Sequence, residues 1–219
     1  MSEFVNTIDL LGDEAVTKAL IERTLTEFND DTVRYVGRSA FYSSTALTGI
    51  SLPSVTEVGM TAFSTCTSLK NISLPLCTKA GSTSFAYCSS LEGVVFPLLE
   101  SVPDYMFRSC ESLKTVDFPS ATRIGSSAFD TCRLLSILIL RSSSICTLGN
   151  RSAFEGTPFA SGKAGGTLLV PRALTESYPT ATNWSSIMSG NPKNRVLALE
   201  DYTVDGTITG AIDWDKLNG

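Results

Sequence analysis

The chain has 219 residues, 42% of them hydrophobic and 18% charged, enough for one or two globular domains with a substantial core. A net charge of −5 and a pI near 4.8 supply no basic footprint for a phosphate backbone, which argues against nucleic acid as a partner. No apolar run approaches the roughly 20 residues of a membrane helix, and "MSEFVNTIDLLGDEAV" lacks the basic and apolar regions of a signal peptide, so neither membrane insertion nor a cleaved leader is expected.

Residues 1–30 read as an N-terminal capping segment. Val16, Leu20, Thr24 and Phe28 fall four apart, which predicts one face of a helix over 13–28, with Asp13 as its N-cap. Such a cap would shield the first rung of the structure that follows.

Residues 31–160 are a repeat. Phe41, Phe63, Phe85, Phe107 and Phe129 recur every 22 residues, and Phe154 follows after 25. Three residues beyond each Phe of the 22-residue series stand Ser44, Cys66, Cys88, Cys110 and Cys132; six beyond come Leu47, Leu69, Leu91, Leu113 and Leu135. Nine beyond lie Ile50, Ile72, Val94, Val116 and Leu138. A Leu-Pro or Phe-Pro pair closes each copy, from Leu52-Pro53 to Phe118-Pro119, and becomes Leu140-Arg141 in the last. Five before each Phe sit Val36, Val58, Ala80, Val102 and Ile124, mostly followed by glycine, as at Gly59, Gly81 and Gly125.

A unit this short cannot bury its own apolar positions, so neighbouring copies must supply the other wall of the core. The alternation in "LKNISLP" predicts a short parallel strand ended by a proline that cannot donate to the ladder. Glycine after the second apolar segment suits a corner where a Cβ would clash or where positive φ is required. Six coils at a strand spacing of about 4.8 Å predict a rod roughly 29 Å long.

The column Cys66, Cys88, Cys110 and Cys132 decides between several chemistries. One thiol per coil places them in a line, whereas zinc needs four ligands converging on a point, commonly from C-x₂₋₄-C knuckles that are absent here. Parallel side chains keep Cβ atoms near the strand spacing, wider than a disulfide prefers. The column therefore reads as free cysteines, small buried hydrophobes beside the Phe column. Ser44 and Thr157 take the terminal slots, where a half-exposed end coil would tolerate a hydroxyl. Phe41, Phe63, Cys66, Phe85, Cys88, Phe107, Cys110, Phe129 and Cys132 form the predicted core ladder.

Residues 161–200 read as a C-terminal cap: "TLLVP" from Thr167 adds a strand, and 173–188 forms a helix interrupted at Pro179, with Trp184 against the last coil. Residues 201–219 form an acidic arm. The simple reading is a hairpin around Asp205-Gly206. A calcium loop is the alternative, since Asp201, Asp205 and Gly206 fit an EF-hand, but Thr203 and Ile212 do not. Docking onto a neighbouring subunit is a third use for such an arm.

The chain contains no histidine, which removes Ser-His-Asp and Cys-His machinery and His-ligated metals. "GTPFASGKA" misses the phosphate-loop spacing and has Ala164 where a magnesium-binding hydroxyl belongs. Glu92, Glu111 and Asp117 could form a glycosidase carboxylate pair by type, but they occupy variable repeat positions and read as solvated faces. Neither an enzyme nor a cofactor is expected.

The shared pattern, AFxxCxSLxxIxLPxxTxIGxxAF, resembles the BspA-type leucine-rich repeat over about residues 31–159. The resemblance implies an α/β repeat fold, a curved β-dominated leucine-rich-repeat solenoid with a helical N-terminal cap and a strand/helix C-terminal cap, without cofactors and typically adhesive in surface proteins. The flanks "IDLLGDEAVTKALIERTLTEF" and "GTLLVPRALTESYPTATNWSSI" resemble those of gut-bacterial and phage-encoded members.

Recognition is then the expected function, through side chains between the core columns. Lys70, Glu92 and Lys114 share one column, Asp117 takes the next strand slot, and Glu57, Lys79 and Arg123 alternate in sign in another. Tyr42, Tyr87, Arg108 and Asp130 flank the Phe and Cys positions on the turns, and Tyr and Arg are common binding anchors. Two functions fit: a tail-associated virion component contacting neighbouring virion subunits and a receptor, with homo-oligomerisation expected, or a bacterial surface adhesin binding a host protein or glycan. The corresponding locations are the virion and the extracellular or cell surface.

Overall fold

A computed structural model describes residues 23–160 and 162–218. The repeat folds into stacked coils as predicted; each coil carries the expected parallel strand and, at the second apolar segment, a further two-residue strand that the repeat pattern does not predict. The broad sheet comprises β1 (Glu27–Asn29), β3 (Gly49–Ser51), β5 (Asn71–Ser73), β7 (Gly93–Val95), β9 (Thr115–Phe118), β11 (Ile137–Leu140), β13 (Thr167–Val170) and β14 (Arg195–Ala198). Its hydrogen-bonded runs are β1-β3, β5-β7 and β9-β11-β13-β14, with β3 lying against β5 and β7 against β9. The narrow sheet comprises β2 (Tyr35–Val36), β4 (Glu57–Val58), β6 (Lys79–Ala80), β8 (Ser101–Val102), β10 (Arg123–Ile124) and β12 (Thr147–Leu148), in two hydrogen-bonded runs, β2-β4-β6 and β8-β10-β12.

Register follows the repeat: Ile72 pairs with Val94, Val116 with Leu138, and Leu138 with Leu168. These central residues are buried while Asn71 and Ser73 on either side face out, the alternation that a strand with one covered face imposes. Behind the strands the Phe column stacks ring on ring, with centroids 5.0 Å apart for Phe41–Phe63, 5.1 Å for Phe63–Phe85 and 5.6 Å for both Phe85–Phe107 and Phe107–Phe129. Phe154 continues the stack at 5.4 Å from Phe129, so the longer last repeat preserves the core spacing.

The third side of each coil is a chain of turns, hydrogen-bonded to the next coil. Thr61, Phe63 and Thr65 donate their N–H groups to the carbonyls of Ser82, Ser84 and Ala86, and the following coil repeats this with Thr83, Phe85 and Tyr87. The geometry requires left-handed backbone two residues before and two after each Phe, at Thr61 (φ 56°), Thr65 (φ 65°), Thr83 (φ 57°) and Tyr87 (φ 63°). Each such residue costs on the order of 1 kcal/mol in conformation, and its inter-coil hydrogen bond offsets that cost. Of the two reasons for glycine at the corner, a Cβ clash or a positive φ, the clash is the one that operates at Gly59 and Gly81. A Cβ on Gly59 would lie 2.6 Å from the Arg38 nitrogen and one on Gly81 2.4 Å from the Met60 nitrogen, so their lack of a side chain lets successive coils approach.

Three further readings need correction. Residues 13–22 of the expected N-terminal helix lie outside the described residues, but its last turn is not helical: Glu27–Asn29 is a strand, with Phe28 opposite Ile50. Leu25 packs on the core and stands 22 residues before Leu47, so this segment already follows the repeat. At the other end β13 forms as expected, but helix over 173–188 is confined to Trp184–Gly190, preceded by single turns at Arg172–Leu174 and Tyr178–Thr180. Trp184 is fully buried against Phe154, and its Nε1 donates to the Cys146 carbonyl at 2.6 Å. Finally, Ser44 and Thr157 are buried. A hydroxyl is tolerated at Thr157 because it donates to the Phe154 carbonyl at 2.6 Å and accepts from the Phe159 N–H at 3.2 Å.

The arm folds back on its own chain. Tyr202, Ile208, Ile212 and Leu217 pack on the outer face of the broad sheet, around Ile139, Leu169 and Leu199. An antiparallel bridge between Thr203 and Ile212 closes a loop wider than the two-residue hairpin expected. Within it, one oxygen of Asp205 accepts from both the N–H and the hydroxyl of Thr207, and Asp201 pairs with Arg172, so both carboxylates of the calcium reading have protein partners. Among the described residues no helix is long and apolar enough to cross a membrane.

Candidate interaction surface

The residues singled out for binding fall on two different faces. On the turns, Tyr42 (52% exposed) and Tyr87 (44%) project into solvent. Tyr42, Arg108 and Asp130 occupy the same column, but Ser64 and Ala86 intervene, so Tyr42 stands apart. The others gather: the Tyr87 N–H donates to the Arg108 carbonyl, the Arg108 guanidinium lies 5.8 Å above the Tyr105 ring, and its Nε is 3.2 Å from Asp130 Oδ2. Asp130 also accepts from the Thr131 hydroxyl at 2.8 Å. Tyr105 belongs to this cluster and escapes a reading confined to the columns beside Phe. Its signal is its place two residues before Phe107, where the left-handed backbone (φ 59°) directs a large side chain outward.

On the broad sheet, Lys70, Glu92 and Lys114 are exposed in successive coils at the start of the strands. The Glu92 N–H donates to the Lys70 carbonyl at 2.7 Å, which fixes the column to the coil spacing. Asp117 differs from these. Its carboxylate is held by Arg141, with Nη2 2.7 Å from Oδ2. A groove of about 350 Å³ opens beside it, bordered by Asn71, Glu92, Val95, Thr115 and Trp214. Trp214 is contributed by the arm, from a part of the sequence with no repeat to suggest its neighbours.

The narrow sheet carries a second, more open groove of about 540 Å³, edged by Tyr35, Glu57, Lys79, Asp104 and Arg123. Arg123 lies 3.6 Å from Asp104, and Ser101 separates it from Lys79 in the strand register. Opposite charges therefore interleave there instead of forming a field of one sign.

The thiol column has no free chemistry to offer. Cys66, Cys88, Cys110 and Cys132 donate to the carbonyls of Phe41, Phe63, Phe85 and Phe107 at 3.0–3.1 Å, one coil apart. Burial pushes Cys66 up to about 12 and raises Cys88, Cys110 and Cys132 well above the ordinary thiol value. All six cysteines are free thiols, and a buried thiol that keeps its proton is neither nucleophile nor metal ligand.

Comparison with known proteins agrees with this geometry. The BspA type leucine-rich repeat region matches in 6 copies over residues 34–159. A leucine-rich cell surface protein of Faecalibacterium prausnitzii is 21% identical, over 82% of this chain and 49% of that one, with a TM-score of 0.58. A leucine-rich repeat protein of Eubacterium ventriosum is 25% identical, over 61% and 43% respectively, with a TM-score of 0.53. The chain thus spans less than half the length of each of these solved proteins. No curated protein sequence matches it.

Proposed function

Because the chain belongs to the BspA-type leucine-rich-repeat family, we propose that it is a non-catalytic recognition protein at a bacterial cell surface, binding a protein or glycan through its broad sheet. The observation that carries this reading is the contrast within each strand. The inward position stays apolar from Ile50 to Leu138, while the outward positions run through Asn71, Gly93 and Thr115 on one side and Ser73, Val95 and Asp117 on the other. A solenoid that fixes its core and varies one face is built to present that face. The surface location draws support from the description of the Faecalibacterium relative. The non-catalytic reading draws support from the carboxylates: Asp117 is engaged by Arg141, and Glu111 lies 3.5 Å from Arg133.

The test is binding of the chain to cultured cells and to immobilised matrix glycoproteins, with two sets of charge and aromatic variants. Lys70→Glu, Glu92→Lys and Lys114→Glu on the sheet are expected to abolish capture, whereas Tyr87→Ala and Arg108→Ala on the turns leave it intact. Loss with the turn variants alone would move the site to the turn face. A virion reading rests on the flanking segments, where the resemblance to phage-encoded members lies. Mass spectrometry of purified virions and of cell-surface fractions separates the two, the chain being expected in the surface fraction.

A further inference from the structure

The arm covers only part of the broad sheet. Its apolar residues sit on Ile137, Ile139, Leu169 and Leu197, and its final helix, Trp214–Asn218, brings Trp214 to the edge of the uncovered rungs. There the indole is 45% exposed and faces the same groove as Val95, itself 51% exposed. Beside this apolar wall stand Asn71, Ser73, Glu92 and Thr115, whose side chains make no hydrogen bond or ion pair among the described residues. Threonines elsewhere on the coils behave differently: Thr48, Thr56, Thr122 and Thr147 each donate a hydroxyl to the preceding coil. Among the described residues no cationic side chain lines the groove, and Asp117 within it is already paired with Arg141.

We propose that this groove binds a neutral saccharide, with a pyranose ring stacked on Trp214 and its hydroxyls bonded to Asn71, Glu92 and Thr115. A pyranose presents an apolar face of C–H groups and a rim of hydroxyls that both donate and accept. An indole supplies a flat apolar platform, while amide, hydroxyl and carboxylate groups supply both halves of the hydrogen bonds. A volume of about 350 Å³ falls at the small end of ligand sites, which suits one or two sugar rings and not a globular partner. Lys70 and Lys114 flank Glu92 but are not among the described residues that line the groove, so a sulfated or sialylated glycan would find no ion pair within it. An extended peptide would need an open strand edge, and β5 and β7 are bonded to each other with β9 alongside. The proposal deepens the recognition reading and rests on it.

The chain's two tryptophans make the test direct, since Trp184 is buried and Trp214 is not. The full chain is titrated with hexasaccharides of α-1,4-glucose, β-1,4-glucose, N-acetylglucosamine and mannose, with a heparin hexasaccharide as the anionic comparison, while acrylamide quenching reports on the exposed indole. At least one neutral sugar is expected to bind and shield Trp214. Affinity should fall about tenfold or more in Trp214→Ala and in the Asn71→Ala/Glu92→Gln pair, and should largely survive in Trp214→Tyr. The Asn71/Glu92 pair lies outside the arm and keeps the test independent of the arm's folding, which circular dichroism checks. No binding by any neutral hexasaccharide, binding that persists in both variants, or preference for heparin overturns the proposal. If Glu92→Lys still abolishes capture by cells or matrix glycoproteins in that event, recognition by the sheet stands and only the saccharide is lost.

Discussion

Arg141 clamps Asp117 on the outer face of the broad sheet, with Nε 3.0 Å from both carboxylate oxygens and Nη2 2.7 Å from Oδ2. The same guanidinium donates from Nη1 to the carbonyls of Ile208 at 2.6 Å and Gly210 at 3.0 Å. One side chain, only 10% exposed, thus joins the repeat to the arm. Arg141→Ala leaves two carbonyls and a carboxylate without their partner, which is expected to weaken arm docking by about 1.5–3 kcal/mol. Limited proteolysis should then cut within 200–218 and leave the solenoid whole. An arm as resistant as in the unsubstituted chain would remove Arg141 from this role.

Phe85 stacks between Phe63 and Phe107 at 5.1 and 5.6 Å and also meets Phe96 edge-on at 5.5 Å. Phe85→Ala removes the middle of a continuous stack, where neighbours held by their own coils cannot collapse into the space. A loss of about 3–5 kcal/mol is expected in denaturant unfolding. Phe85→Leu should cost less than half of that. Equal losses for the two would mean that ring stacking, not volume, dominates the column.

The ladder and the broad sheet are legible in the sequence because identical repeats impose identical surroundings, whereas the two-residue strands of the narrow sheet are too short to show an alternation. Phe63, Phe85 and Phe107 must meet if successive coils are alike. The start of the solenoid is harder to read. Val16, Leu20, Thr24 and Phe28 fit a helix face as well as Leu25 and Phe28 fit the 22-residue register with Leu47 and Ile50, and a local pattern cannot choose between the two. β14 escapes notice because Val196 lies 28 residues from its partner Leu168, outside any period. Arg141 shows in the sequence as the single break in the closing Leu-Pro pattern, though its partners 67 and 69 residues away do not. Trp214 reaches its groove through tertiary packing alone.

Gly81 sets how closely two coils approach. A Cβ there would stand 2.4 Å from the backbone nitrogen of Met60, an obstacle that cannot swing aside as a flexible side chain would. Gly81→Ala is expected to destabilise by about 1–3 kcal/mol through a local widening of the stack. Gly190 is the control, since a Cβ added there would meet nothing within 4 Å and alanine should be nearly neutral. Thermal unfolding of the two variants side by side measures the difference.

Acid should loosen the arm before the core. Hydrogen bonding to Arg172 holds the Asp201 carboxyl below its ordinary 3.8, and hydrogen bonds from Thr207 do the same for Asp205. A carboxylate whose folded value is depressed stabilises the fold above its ordinary value and loses that contribution as pH falls through the folded one. Both groups face solvent, so the effect is small and local. Proteolysis of the arm by pepsin is expected to rise below about pH 4 while the circular dichroism of the solenoid holds. Simultaneous loss of both signals would contradict a separately docked arm.

Alkali should act on the core through the thiols. Burial raises Cys77 from 9.0 to about 11 and Cys66 and Cys146 to about 12, and it raises Cys110 in the middle of the ladder as well. An unfolded thiol ionises near 9.0 while the folded one keeps its proton, so the unfolded state binds fewer protons above that pH and stability falls as pH climbs. The denaturant midpoint is therefore expected to drop steadily from pH 9 toward pH 12, and less steeply in Cys110→Ala, which removes one titrating group from the ladder. At pH 8 the folded chain should react negligibly with Ellman's reagent, and all six thiols should react once it is unfolded. Fast labelling of any ladder cysteine in the native state would mean that the coils open there, and that the stack is looser than its ring spacings indicate.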